Sequence, residues 1–176
     1  MLSDRTIRTL LERADGRLSI ATPSAFPMSD EQFQPASVDL RLADIKGALA
    51  VKIPAEDPWV FNIPPGVFAL GSTIEWVTLG KQVVGQVHGK SSWARRGLMV
   101  ECAGLVDPGF SGQLTLELKN LTEKTIRVEQ GKRICQLSLD WVDTVPDRVY
   151  GDPALRSRYQ GQEGPTPARE WAEAGR

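Results

Sequence analysis

Histidine is almost missing from this 176-residue chain, and cysteine is scarce: one of the first and two of the second. That scarcity excludes the zinc site of the nucleobase deaminases. Such a site needs a His/Cys/Cys or three-Cys set with His-x-Glu and Pro-Cys-x-x-Cys spacing. Here His88 is followed by Gly89 and Lys90, and no Cys-x-x-Cys occurs. No disulfide framework is available either, so Cys102 and Cys135 read as small buried hydrophobes, and a reducing, cytoplasmic setting is expected. An excess of one charge sign is also lacking. Lys and Arg number 21 against 22 Asp and Glu, for a net charge of −1. No global field draws the chain to nucleic acid, although a few local cations can still hold a small anion. No apolar run is long enough to span a bilayer, and Met1-Leu2-Ser3-Asp4-Arg5 lacks the basic-then-apolar order of a secretory signal. Neither a nucleic-acid nor a membrane partner is expected.

What is present suits one soluble domain with a real core: 41% of residues are hydrophobic and 24% charged. Ser3-Asp4 can cap a helix carrying Ile7, Leu10 and Leu11 on one face, with Gly16 as its stop. Leu18 to Ile20 reads as a short strand and 21–34 as loop. Alternation in Ser37 to Leu42 predicts a half-buried strand. Short β-type runs then recur at Ala48–Ile53, Gly66–Ser72, Ile74–Thr78, Val83–His88, Leu98–Cys102, Leu114–Asn120, Thr125–Val128 and Ile134–Trp141, between Gly/Pro turns. Many short strands with such turns predict a mainly β protein, an antiparallel sandwich or barrel-like jelly roll with a short N-terminal helix. The expected division is a β domain over 1–149 and a tail over 150–176. By its polar, Gly/Pro/Gln/Arg-rich composition the tail should be mobile, a flexible lid able to order over a ligand.

Three stretches carry candidate chemistry. Lys90-Ser91-Ser92 with Arg95 offers two cations and two hydroxyls beside Gly89, a set that can hold a polyphosphate. It is not a Walker loop, because Gly-x-x-x-x-Gly-Lys-Ser/Thr is absent, and alone it is evenly matched by a plain solvated turn. Asp107-Pro108-Gly109-Phe110 is a turn signature. Beside a phosphate-binding stretch, Asp107 can meet a ribose hydroxyl while Phe110 packs against the sugar and refuses a bulkier 2′-hydroxyl. Glu117 is the sharpest single residue. Leu114, Leu116 and Leu118 share one strand face, and Thr115 and Glu117 share the other. Most strand glutamates are simply solvated. A partly desolvated one has a raised pKa and suits a proton shuttle. The five tryptophans read mostly as core or interface rather than stacking platforms, with Trp93, inside the Ser/Arg stretch, the one candidate exception. His88 reads as structural.

Taken together, these motifs resemble the dCTP deaminases of the dUTPase-like superfamily. The resemblance rests on Leu2-Ser3-Asp4-Arg5-x-Ile7, Gln34 to Leu42, Gly89-Lys90-Ser91-Ser92-x-Ala94-Arg95-x-Gly97-Leu98, Asp107 to Phe110, Thr115 to Leu118 and Gly131-Lys132-Arg133-Ile134-x-Gln136-Leu137. It continues in the tail, from Tyr150-Gly151 through Ser157-Arg158-Tyr159-Gln160-Gly161-Gln162 to Arg169. The resemblance implies a dUTPase-like fold, a homotrimer with shared active sites, and zinc-independent deamination of dCTP to dUTP and ammonia with Mg2+ on the substrate triphosphate. By position it implies Glu117 as proton shuttle, Ser91 and the Ala103 carbonyl on the attacking water, and Arg95 stabilising charge. Lys90 and Ser92 would hold phosphate, Asp107 the 3′-hydroxyl, and Phe110 the deoxyribose. Tyr150, Arg158 and Gln162 would close from the tail.

Two departures stand out. Where the family usually has His-x-Thr-Ala-Gly, this chain has the shorter Glu101-Cys102-Ala103-Gly104. That segment shapes the base pocket and is tied to inhibition by dTTP, and its short form looks more like dUTPases. Arg158 stands where the family often has Lys, which keeps charge but changes geometry. A dUTPase, or a bifunctional enzyme releasing dUMP and pyrophosphate, is therefore the alternative. Ala94 speaks mildly against it, since bifunctional members tend to place Gly there. A regulator that binds nucleotide without turning it over ranks last.

Overall fold

The computed structural model describes residues 1–47, 58–101 and 104–169. The strand expected at Ala48–Ile53 lies outside the described residues, as do Cys102 and Ala103. Helix α1 (Asp4–Arg13) opens on Ser3, whose hydroxyl accepts from the Thr6 amide, and buries Ile7 and Leu10. It ends at Ala14 in the left-handed region rather than running to Gly16. The strands are β1 (Leu18–Ala21), β2 (Phe33–Gln34), β3 (Ser37–Lys46), β4 (Val60–Ile63), β5 (Phe68–Leu79) and β6 (Val83–Gly89). A single helical turn, α2 (Ser91–Ala94), precedes β7 (Leu98–Glu101), β8 (Leu105–Val106), β9 (Ser111–Asn120), β10 (Ile126–Glu129) and β11 (Arg133–Trp141).

The protein is mainly β and antiparallel, as expected. One curled sheet runs β7-β9-β5-β3-β11-β6-β8, with β1 on β5 and β2 on β3, and β10 pairs with β4 separately. Alternating leucines drive this order. Leu114, Leu116 and Leu118 of β9 are buried and meet Leu40, Leu42, Leu137 and Ile134 in one core.

The two runs expected at 66–72 and 74–78 are one strand, β5, with a bulge. Ser72 pairs with Thr115 and Trp76 with Gln113, so Thr73, Ile74 and Glu75 together face Leu114. The Thr73 hydroxyl fills the gap by accepting from the Leu114 amide at 3.0 Å and donating to the Glu75 carbonyl at 2.9 Å. Glu75 is fully buried yet fully met: Arg41 Nε lies 2.7 Å from Oε1, the Arg41 amide 2.8 Å from Oε2, and Gln32 Nε2 2.9 Å from Oε1. The segment expected as loop over 21–34 contains a 3-10 turn at Asp30–Gln32 and β2, because Gln32 is drawn into this network. Strands β4 and β8 are short and escape the sequence pattern.

Candidate active site

The Asp107-Pro108-Gly109-Phe110 turn is closed by the Phe110 amide on the Asp107 carbonyl at 3.1 Å. Proline sits at its second position and Gly109, at φ 90°, at its third, the requirement of a type II turn. A Cβ at Gly109 would lie 2.7 Å from the Val149 Cβ, so glycine also admits the chain that leads to Tyr150. The Tyr150 amide donates to the Pro108 carbonyl at 2.8 Å. Its ring packs on Phe110, centroids 5.7 Å apart.

This wall bounds a cavity of about 420 Å³. Asp107, Phe110, Thr115, Glu117, Tyr150, Tyr159 and Gln162 line it, together with Leu70, Val87 and Gly104. The β9 register sets Glu117 opposite Leu70 on one side and Glu101 on the other. The carboxylate is half-buried, and its Oε2 is shielded from solvent. Thr115 and Glu117, on the polar face of β9, therefore line a cavity instead of bulk water.

The tail, expected to be mobile from its composition, is laid along β9 as far as Arg169. The Gly161 amide donates to the Ser111 carbonyl at 2.8 Å and the Gln113 amide to the Gln162 carbonyl at 3.0 Å. Gln162 Nε2 reaches the Gln113 carbonyl at 2.7 Å, the Gly164 amide reaches Gln113 Oε1 at 2.6 Å, and the Thr166 amide reaches Thr115 Oγ1 at 3.3 Å. Gln162 thus roofs the cavity. Arg158 does not line it; its guanidinium donates to the Arg169 carbonyl at 3.0 Å.

The phosphate motif lies elsewhere on the chain. None of Lys90, Ser91, Ser92 or Arg95 lines the cavity, and Ser91, Ser92 and Arg95 are exposed around α2. The Arg95 amide closes on the Ser91 carbonyl at 3.0 Å, which sets these two residues one helical turn apart. Lys90 Nζ sits 2.6 Å from Asp39 Oδ2. Trp93 is not a stacking platform, because it is buried and its Nε1 donates to the Arg133 carbonyl at 2.9 Å. His88 Nε2 pairs with the Ser138 hydroxyl at 2.8 Å, a structural contact. Among the described residues no group of three or more His, Cys, Asp or Glu is placed to hold a metal ion, and no helix is long and apolar enough to cross a membrane.

Two features of the site escaped the sequence. Asp39 gives no local signal, since its partner Lys90 is 51 positions away. Gln113 and Thr115, which seat the tail, look like ordinary polar positions of an alternating strand.

Known structures share this fold. A 2′-deoxycytidine 5′-triphosphate deaminase from Agrobacterium tumefaciens aligns with a TM-score of 0.61 at 22% identity, over 78% of this chain and 47% of that one, about half its length. EIAV dUTPase aligns at 0.53 and 19% identity, over 77% of this chain and 98% of that one. The fold is therefore dUTPase-like. Residues 1–141 match the dCTP deaminase-like family, and the chain belongs to that family. A relative from Bifidobacterium adolescentis is 36% identical over 97% of this chain and 94% of its own length. One from Mycolicibacterium paratuberculosis is 38% identical over 97% and 96%. Both are named dCTP deaminase, dUMP-forming. These names overturn the expectation that dUTP is the product. They also outweigh Ala94, which is exposed at the end of α2, away from the cavity lining.

Proposed function

We propose that the protein deaminates dCTP and carries it on to dUMP and pyrophosphate in one site. The observation that carries this reading is the presence of two carboxylates, Glu117 and Asp107, on one cavity with the Phe110–Tyr150 wall beside them. The dUMP-forming relatives at 36–38% identity support it.

In this reading Glu117 takes a proton from water as the water oxygen attacks C4 of cytosine, and passes it to N3. It then moves the new hydroxyl proton to the exocyclic amine, which leaves as ammonia while the C4 carbonyl forms. Ser91 and the Ala103 carbonyl orient that water, and Arg95 stabilises the developing charge. Asp107 next takes a proton from a second water attacking the α-phosphorus, and the bond to the bridging oxygen breaks to release pyrophosphate. Phe110 packs on the deoxyribose. Tyr150, Arg158 and Gln162 close over the nucleotide. Lys90 and Ser92 hold phosphate. Mg2+ would arrive on the triphosphate, held by its phosphate oxygens, and would neutralise charge there; among the described residues no carboxylate cluster could hold it alone.

Because the α2 residues stand off their own chain's cavity, the reading requires a second copy to bring them in. A homotrimer with shared sites meets that need. Phe68 and Leu105, which are 55% and 62% exposed on the cavity rim, supply apolar surface for such a neighbour. The setting is cytoplasmic in this reading. Incubation with dCTP and Mg2+ should yield ammonia, dUMP and pyrophosphate in equal amounts. Accumulation of dUTP with no pyrophosphate would overturn it.

A further inference from the structure

We propose that Asp39 is a positioning residue for the phosphate end of the site, holding the Lys90 ammonium in place before any nucleotide arrives. The inference rests on the reading of Lys90 as a phosphate ligand and deepens it.

Asp39 lies in the middle of β3 and is wholly buried between Val38 and Leu40. Its Oδ2 is 2.6 Å from Lys90 Nζ and 3.4 Å from Arg133 Nη1. Its Oδ1 is buried with no hydrogen-bond partner. Its backbone is pinned as well, since Gln32 Nε2 donates to the Asp39 carbonyl at 2.9 Å and equally to Glu75. The lysine backbone is fixed too: the Lys90 carbonyl accepts from the Trp93 and Ala94 amides at 3.0 and 3.1 Å.

This is a poor device for stability. A buried ion pair often does no better than apolar side chains of the same volume, and an orphaned carboxylate oxygen makes it worse. What the arrangement does supply is a lysine head with one position. A lysine side chain loses much rotamer freedom when it binds. Asp39 makes that loss part of folding, so binding is spared it. An ammonium has three donors; Asp39 takes one and leaves two for phosphate oxygens.

The test is a double-substitution cycle, Asp39→Asn and Lys90→Met singly and together, read as kcat and KM for dCTP with melting temperature alongside. Asp39→Asn should raise KM roughly tenfold with little change in kcat. In the Lys90→Met background it should add nothing. An unchanged KM, or a factor that multiplies fully with that of Lys90→Met, would overturn the proposal, because a merely structural residue acts independently of the lysine. Wild-type turnover is read first; its absence sinks the assigned reaction and leaves the second measurement to decide. In unsubstituted protein carrying 15N-lysine, the Lys90 ammonium should be visible through slowed proton exchange without nucleotide and should shift when dCTP is added. A freely averaging head in the nucleotide-free protein overturns the idea even if Asp39→Asn does not fold.

Discussion

Gln162 and Gln113 clasp each other at the edge of the cavity: Gln162 Nε2 donates to the Gln113 carbonyl at 2.7 Å, and the Gln113 backbone amide returns a bond to the Gln162 carbonyl at 3.0 Å. The Gln113 side chain adds a third tie through the Gly164 amide at 2.6 Å. Of the three, only this one depends on the Gln113 side chain. Gln113→Leu should therefore loosen the lid without unfolding the sheet. One lost hydrogen bond of about 1 kcal/mol predicts a fall in kcat/KM of roughly fivefold. Steady-state kinetics with dCTP, alongside a melting curve, check it.

Glu117→Gln keeps the size of the side chain and removes its ability to shuttle a proton. Deamination should drop about 10²- to 10⁴-fold. Cleavage of added dUTP should survive, because that step is assigned to a different carboxylate. Ammonia and pyrophosphate assays on the two nucleotides separate the effects, and loss of both activities together would remove the division of labour.

Asp107→Asn gives the mirror image. Ammonia release from dCTP should persist while pyrophosphate release falls, so dUTP builds up in the reaction. Chromatography of the nucleotides over time shows which product accumulates.

If the α2 residues serve a neighbouring copy's cavity, two variants that fail to deaminate dCTP should rescue one another. Arg95→Ala and Glu117→Gln chains, unfolded together and refolded as a mixture, should regain ammonia release from dCTP that neither has alone, since some shared sites then receive both intact residues. Continued inactivity of a properly assembled mixture would place Arg95 and Glu117 in the same chain's site.

The buried Arg41–Glu75 pair makes a stability prediction independent of activity. Glu75→Ala removes the counter-charge of Arg41 and leaves Arg41 Nε, the Arg41 amide and one of the two Gln32 Nε2 hydrogens without an acceptor. The cost should be about 3–5 kcal/mol. Urea unfolding at fixed protein concentration measures it.

Much of this could be read from the chain because it is written locally. The Leu114, Leu116, Leu118 alternation marked the buried face of β9 and left Glu117 on the other, and Ser3 marked the start of α1. Proline and glycine in Asp107 to Phe110 marked the turn. What stayed hidden is held by long-range contacts. Asp39 and Lys90 meet over 51 positions, and the tail is seated by main-chain bonds together with the side chains of Gln113, Thr115, Gln160 and Gln162, partners that its polar composition does not disclose. Strand β5 looked like two strands because the bulge at 73–75 breaks its alternation, while hydrogen bonds from the Thr73 hydroxyl and a buried glutamate hold the strand continuous. Trp93 sat inside a promising motif, yet its ring anchors α2 to the start of β11.

That bulge also governs what the cavity can tolerate. Side chains alternate along a strand, so a one-residue slip of β5 against β9 turns an entire face over. On the N-terminal side of the bulge in β5 the register sets Leu70 against Glu117; on the C-terminal side, Trp76 against Gln113. Thr73, Ile74 and Glu75 act as a fixed spacer between the stretch of β9 that seats the lid and the stretch that bears the carboxylate. Residue identity in the cavity is open to change by single substitutions, whereas chain length at 73–75 is not. Among divergent relatives and engineered variants of this chain, insertions and deletions should accumulate in the outer loops and spare those three positions.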